Sequence, residues 1–389
     1  MLSRRAFLQS SSLIAIAPTV PMFLARCARA TEIGKDQRVL VVVQLSGGND
    51  ALNTIVPHAD PTYAKLRQRL KLNAKDLVRV TDAIGLHPQL RSLDKLLQDG
   101  RLAVIPGVGY PNPNRSHFRS MAIWHTARFD PEEHSGYGWI GRALDPEAGH
   151  SLLIGSETLP VALRGRRSSA VGLNRVDDLG LADAATARLA TNSIESKDEL
   201  IEFIRRQALD AYAASDTLAA LSRHGDDASY PTTSLADHLR LTARLLKAGL
   251  GARVFYTSLG GFDTHASQEF THARLMSEFA GAVAAFFADL TAAKLADRVI
   301  LLAFSEFGRT IKENGSGGTD HGTAGAVFLA GPGVKGGLHG TQPSLTELVE
   351  GEPSMTIDFR QVYSAVLTDW MKLTANDAVG GGFGKMSLF

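Results

Sequence analysis

The chain has a single cysteine, Cys27, in 389 residues. One thiol excludes an intramolecular disulfide framework, a cysteine-built zinc site and a redox pair of cysteines. Charge of one sign is also missing: 41 basic groups meet 40 acidic ones, a formal net charge of +1. That balance lacks the basic excess of a nucleic-acid-binding or anionic-membrane-binding surface. Beyond the N-terminal region no apolar run is long enough to suggest an integral membrane span, which needs roughly 20 residues.

The N-terminus carries what the remainder lacks. Ser3-Arg4-Arg5-Ala6-Phe7-Leu8 sets two adjacent arginines before an uncharged apolar stretch, about 13–24, that Pro18 and Pro21 interrupt. Ala28-Arg29-Ala30 follows with the small-x-small pattern of a cleavage site. This layout predicts a twin-arginine signal peptide over residues 1–30, engagement of the twin-arginine translocase, and a periplasmic or secreted protein. Taking residues 1–30 away removes Cys27, four arginines and no acid, so the net charge becomes −3. A thiol-free chain that folds in a reducing compartment before export is consistent with that route.

Downstream, β-branched and apolar runs alternate with helical patterns. Arg38–Leu45, Leu102–Val108, Ala252–Thr257, Arg298–Phe304 and Gly325–Ala330 read as strands buried on both faces, and Pro160–Leu163 as a weaker one. Helical patterns fall at about 88–98, 117–126, 197–221, 235–248, 269–293 and 358–373. The alternation predicts an α/β fold, a mostly parallel central sheet sandwiched by helices. Residues 31–389 form one domain in this reading, with a helical insertion at about 185–248. Residues 164–175, with arginines among Gly and Ser, read as a loop.

Three strands end in small residues followed by an acid. Val41–Leu45 leads to Ser46-Gly47-Gly48-Asn49-Asp50. Val254–Thr257 leads to Gly260-Gly261-Phe262-Asp263-Thr264-His265, and Val299–Phe304 to Ser305-Glu306. A ligand of an open α/β sheet lies beyond the carboxyl ends of its strands, so parallel strands would gather these acids on one edge. Gly318-Thr319-Asp320-His321-Gly322 adds a fourth segment. Packed carboxylates repel unless cations sit among them. Acids mixed with imidazoles suit Zn²⁺, Mn²⁺ or Fe better than an all-oxygen calcium cage, with Zn²⁺ or Mn²⁺ the first expectation. The expected metal set is Asp50, Asp263, His265, Glu306, Asp320 and His321. Ser116 stands at a predicted helix start as the candidate nucleophile, with Arg115 beside it to bind an anion and His117 as a candidate base. Gly138-Trp139-Ile140-Gly141-Arg142 reads as packing.

The segments Gly47-Gly48-Asn49-Asp50, Ser116-His117-Phe118, Gly138–Arg142, Gly261–His265, Ser305–Thr310, Thr319–Gly322 and Asp358–Tyr363 together resemble the domain-of-unknown-function 1501 family, across nearly the whole chain after the signal. The resemblance implies the fold of the alkaline phosphatase and sulfatase superfamily. It also implies a first-strand aspartate at Asp50, a nucleophile at Ser116, a metal pair at Asp263 and His265, an acid ligand at Glu306 and a last histidine ligand at His321. The spacing departs from that superfamily: one residue separates Asp263 from His265, Phe307 follows Glu306, and Asp320-His321 comes 14 residues after Glu306. Ser116-His117-Phe118-Arg119 lacks the proline and spacing of a formylglycine sulfatase motif.

The functional expectation is an exported metal-dependent hydrolase of phosphate or sulfate esters, acting on a small or polymeric anionic ester. The alternative is a catalytically silent export or surface-assembly protein on the same fold. A serine esterase ranks below both, because neither a Gly-Asp-Ser block nor a Gly-x-Ser-x-Gly elbow accompanies Gly48-Asn49-Asp50.

Overall fold

A computed structural model describes residues 37–129, 136–174 and 228–389. The signal sequence, the helical pattern at 197–221 and most of the expected insertion lie outside them. In chain order the principal elements are β1 (Val39–Leu45), α1 (Ala51–Thr54), α2 (Pro61–Leu66), β2 (Leu102–Gly109), α3 (His117–Thr126), α4 (Trp139–Leu144), β3 (His150–Ile154), β4 (Ser169–Leu173), α5 (Ser234–Lys247), β5 (Val254–Leu259), α6 (Gln268–Ala292), β6 (Val299–Phe304), β7 (Gly325–Ala330), β8 (Gly337–Leu338), β9 (Ile357–Asp358) and α7 (Phe359–Ala365).

The strands form one nine-stranded sheet in the order β8-β2-β7-β6-β1-β5-β3-β4, with β9 also paired to β2. Every pairing is parallel except those of β7, which runs antiparallel to both β2 and β6. The sheet is therefore mixed and mostly parallel. β1 is central because its side chains are apolar on both faces. Val39, Val41, Val43 and Leu45 join the core beneath α5 and α6, while Leu40 and Val42 join the opposite core with Trp124, Trp139 and Tyr363. Burial on two faces is what a continuous Val/Leu run provides. Trp139 is buried and stacks on Tyr363, ring centroids 3.9 Å apart, so the Gly138–Arg142 motif serves packing.

Two strands were placed differently by the sequence. Pro160–Leu163 is not a strand; Val161–Leu163 is a single 3-10 turn. Residues 164–175 are not all loop, because Ser169–Leu173 pairs in parallel with His150–Ile154 at the sheet edge. Both strands are five residues long, too short for a clear alternation signal, and β4 carries Gly172 and little burial. Their pairing is decided by the neighbouring strand.

Among the described residues only α6 is long and apolar enough to cross a membrane. Its apolar residues, including Leu275, Phe279, Val283, Phe286 and Leu290, are buried in the core beside β1 and β5.

Candidate metal centre

The register of the three central strands sets the site. Leu45 of β1 lies opposite Leu259 of β5, and Gln44 opposite Phe304 of β6. The strands end nearly level, so the loops that follow begin side by side. Ser46 N donates to Leu259 O at 2.9 Å, and Phe262 N donates back to Ser46 O at 3.1 Å. Gly47 has φ +118°, and a Cβ there would lie 2.5 Å from the Asp263 amide. Only glycine permits both that conformation and that approach.

Arg309 ties the loops together from beneath. Its side chain is fully buried and donates to the carbonyls of Gly47, Gly48, Phe262 and Thr319 and, at 2.5 Å, to Asp263 Oδ1. Partial burial pushes the Asp263 carboxyl upward, but the Arg309 bond and charge outweigh it and hold the pKa at about 2. Asp263 is thus a carboxylate throughout the physiological range.

The 14-residue gap to Asp320-His321 is closed by backbone pairing. Arg309 and His321 form an antiparallel bridge, Thr310 N donates to Asp320 O at 2.9 Å, and Gly322 N donates to Gly308 O at 2.9 Å. The segment after Glu306 folds back and returns His321 to the strand-end edge.

Three donor atoms meet there: His117 Nε2, Asp263 Oδ1 and His321 Nε2. The two imidazole nitrogens are 3.0 Å apart, and Asp263 Oδ1 lies 3.4 Å from His117 and 3.2 Å from His321. A tetrahedral ion with bonds of about 2.0–2.1 Å has ligand–ligand edges of about 3.3–3.4 Å, close to this triangle. His265 Nε2 adds a fourth donor, 3.0 Å from both Asp263 Oδ1 and His321 Nε2.

The opposite ring nitrogens fix the protons. His321 Nδ1 faces the Arg115 carbonyl at 2.8 Å; a carbonyl only accepts, so Nδ1 carries the hydrogen. His117 Nδ1 faces Glu306 Oε1 at 2.8 Å, and His265 Nδ1 faces Asp320 Oδ1 at 2.9 Å. With the hydrogen on Nδ1 of each neutral ring, three Nε2 lone pairs point at one another and at a carboxylate. No hydrogen bond can join two lone pairs at 3.0 Å, whereas a cation satisfies them all. Carboxylate or carbonyl support behind each imidazole is the arrangement of metal-ligating histidines. The donor set therefore fits a metal ion, and its nitrogen content favours Zn²⁺ over Mg²⁺ or Ca²⁺. The Glu306 hydrogen bond is the main cause of a raised His117 pKa, against the effect of burial. The His265 hydrogen bond is the main cause of a lowered Asp320 pKa.

The residues expected from the sequence separate into three groups. Asp263, His265 and His321 come together as donors. Glu306 and Asp320 stand behind the rings. Glu306 is buried, with Oε1 also accepting from Gly47 N at 2.9 Å and Oε2 from Ser305 Oγ at 3.0 Å. Asp50 is elsewhere: it caps α1 through Leu52 N and Asn53 N, and Arg67 grips both its oxygens at 2.6 and 3.0 Å. Burial raises its pKa, but Arg67 outweighs this and lowers it to about 2. His117, expected as a base, instead points Nε2 into the donor cluster. Ser116 is the exposed N-cap of α3, and its hydroxyl makes no capping bond. Arg115 is exposed beside it.

No motif marks a role for Arg67, Arg309 or Gln268, whose Nε2 also donates to Asp50 Oδ2. Arg309 sits in the Ser305–Thr310 segment, but no spacing says that its side chain turns inward. Arg67 reaches Asp50 from the end of α2, a pairing only the fold creates.

Residues 37–379 match the family described as Protein of unknown function (DUF1501). The chain belongs to this family. No curated protein matches the sequence. Among solved structures, the PsFucS1 sulfatase from Pseudoalteromonas sp. is similar at 11% identity and a TM-score of 0.38, covering 95% of this chain and 75% of that one. The phosphonate monoester hydrolase SpPMH from Silicibacter pomeroyi gives 12% identity and a TM-score of 0.40, covering 90% and 76%. The C-terminal periplasmic domain of EcEptC from Escherichia coli gives 9% and 0.41, covering 88% and 84%. Likenesses this distant transfer no site residue to the DUF1501 chain.

Proposed function

We propose that this DUF1501 protein is an exported metal-dependent hydrolase of phosphate or sulfate esters. The observation that carries the reading is the convergence of three imidazole lone pairs and the Asp263 carboxylate at the sheet edge, beside an exposed serine. His117, Asp263 and His321 would hold the ion, with His265 as the adjacent donor; Zn²⁺ is the first choice and Mn²⁺ the second. When bound, such an ion supplies Lewis-acid stabilisation of negative charge on an ester oxygen.

The chain's own residues supply the rest. Ser116 Oγ gives up its proton and bonds to phosphorus or sulfur as the ester oxygen leaves and takes up a proton, and water then cleaves the Ser116 ester and returns a proton to Oγ. The free amides in the first turn of α3 and the Arg115 guanidinium favour an anion at that place. Glu306, Asp320 and the Arg115 carbonyl hold the rings in one tautomer. The donors lie at the surface, Asp263 with 49% and His265 with 45% of the side chain exposed, so an anionic group of a small or polymeric ester can reach them.

The test pairs elemental analysis with a panel of phosphate and sulfate monoesters. A chain that retains zinc or manganese and turns over at least one ester class, with Ser116→Ala inactive but still metal-loaded, supports the proposal. A folded chain that binds no divalent metal under any loading condition ends it.

A second reading is favoured by His265. A fourth protein donor closes a site of the structural type and leaves no open position. On that reading the protein is a catalytically silent export or assembly factor, and Ser116→Ala keeps full biological function.

Export belongs to the same proposal. Residues 1–30 act as a twin-arginine signal and residues 31–389 as one domain with a helical insertion at about 185–248. Lysines in place of both Arg4 and Arg5 should trap the precursor in the cytoplasm. Undiminished export of that variant would remove the twin-arginine route.

A further inference from the structure

The metal reading leaves the number of ions open, and the hydrogen bonds around Asp50 bear on it. We infer that the centre takes one divalent ion per chain and that Arg67 occupies, against Asp50, the place a second cation would need. The inference rests on the metal reading above and deepens it.

Asp50 follows the first strand-end loop, on the same edge as Asp263 and Glu306, where a second carboxylate-bound ion would be sought. Its two oxygens already receive five donors: two guanidinium nitrogens of Arg67, the amides of Leu52 and Asn53, and Gln268 Nε2. A carboxylate has about four lone-pair directions, so none is left for a metal. Arg67 is held as firmly. Its side chain is fully buried, Nε donates to Ile311 O at 2.7 Å, and Nη2 donates to Thr310 O at 2.8 Å. Both carbonyls belong to the segment that leads from Arg309 toward His321. The guanidinium is thus built into the same loop system as the donor cluster.

Glu306 is a poor alternative: it is buried, and partners at Gly47, His117 and Ser305 take three of its about four lone-pair directions. The imidazoles offer none. Each Nε2 has a single lone pair and cannot bridge two ions, so His321, which borders both His117 and His265, commits to one.

Charge gives the same count. Asp50, Asp263, Glu306 and Asp320 contribute four negative charges to the network, and the buried Arg67 and Arg309 contribute two positive ones. One divalent ion brings the network with neutral rings to zero. A second would leave the network with two uncompensated positive charges, although Asp263 and Asp320 are open to water.

The inference is tested by counting zinc on the full chain, saturated with the metal alone and then freed of loosely held ions by gel filtration. One equivalent is expected in the wild type, none in His321→Ala, and one in Asp50→Asn. Arg67→Ala is expected to admit a second equivalent, which Asp50→Asn in the same chain removes. If Arg67→Ala does not fold, the wild-type and Asp50→Asn counts decide. Two equivalents in the wild type, or one fewer in folded Asp50→Asn than in wild type, overturn the inference and leave the metal-dependent reading standing. No zinc in the folded wild type overturns both.

Discussion

The Arg309 guanidinium lies 2.5 Å from Asp263 Oδ1, fully buried on one side of a carboxylate that is half exposed on the other. The same side chain also reaches carbonyls from three loops. It therefore orients a metal donor and joins the strand ends that carry the site.

Arg309→Met should be among the most destabilising single substitutions in the chain. It leaves four carbonyls without this donor and Asp263 without its charge partner. A buried carbonyl left without its donor costs about 1–3 kcal/mol, while the half-exposed Asp263 is met by water and adds little. Urea denaturation of the metal-free protein should show a loss of that order. Arg309→Lys should recover only part of it, because an ammonium cannot span all these acceptors.

Gly47→Ala should impair the site without touching a donor. The added methyl meets the Asp263 amide at 2.5 Å in a positive-φ conformation. The two loops must then separate, so metal affinity should fall together with stability. Isothermal titration with zinc, beside a thermal melt, measures both. Unchanged zinc affinity would show that the loop contact does not position Asp263.

Glu306→Gln removes charge but little shape from the support of His117. Loss of such support typically weakens metal binding 10–100-fold, and that is the drop expected in zinc affinity. His321→Ala, which deletes a donor shared by both triangles of the cluster, should abolish tight binding. Competition against a zinc chelator resolves the two effects.

The metal-free protein should lose stability in two acid windows. Burial holds His87 at about 3 and His125 and His272 at about 4, below the usual 6.5. Their unfolded forms bind protons first, so stability declines as pH falls from about 6.5 toward 4, and for His87 toward 3. Asp50 is shifted from 3.8 to about 2. Its contribution is complete above about pH 4 and is lost as pH falls through 2, an effect of about 2 kcal/mol. Denaturant midpoints across pH 2–7 check both windows. His125→Gln should flatten part of the first, and Asp50→Asn part of the second, which Asp263 shares.

Some of this was legible without coordinates. The Val39–Leu45 run is apolar at every position but Gln44, and only a strand covered on both faces accommodates that, so a central parallel sheet follows from local pattern. Asp263, His265 and His321 carried a chemical signature because imidazole and carboxylate in glycine-bounded loops after strands have few structural uses. The short edge strands His150–Ile154 and Ser169–Leu173 were not legible, since five residues with glycine and serine have no periodicity to read and their partner decides for them.

The sequence by itself determined which residue types would follow the buried strands, because the strands and the small residues after each of them are local properties. It could not determine which acids face a metal. Asp50, Asp263 and Glu306 look alike in the chain, each an acid soon after a buried strand. Tertiary structure gave Asp50 to Arg67, set Glu306 behind His117 and left Asp263 beside three imidazoles. Those pairings join residues 17, 189 and up to 146 positions apart, and an ion pair or a ligand set at such separations exists only once the strands have fixed where each loop begins.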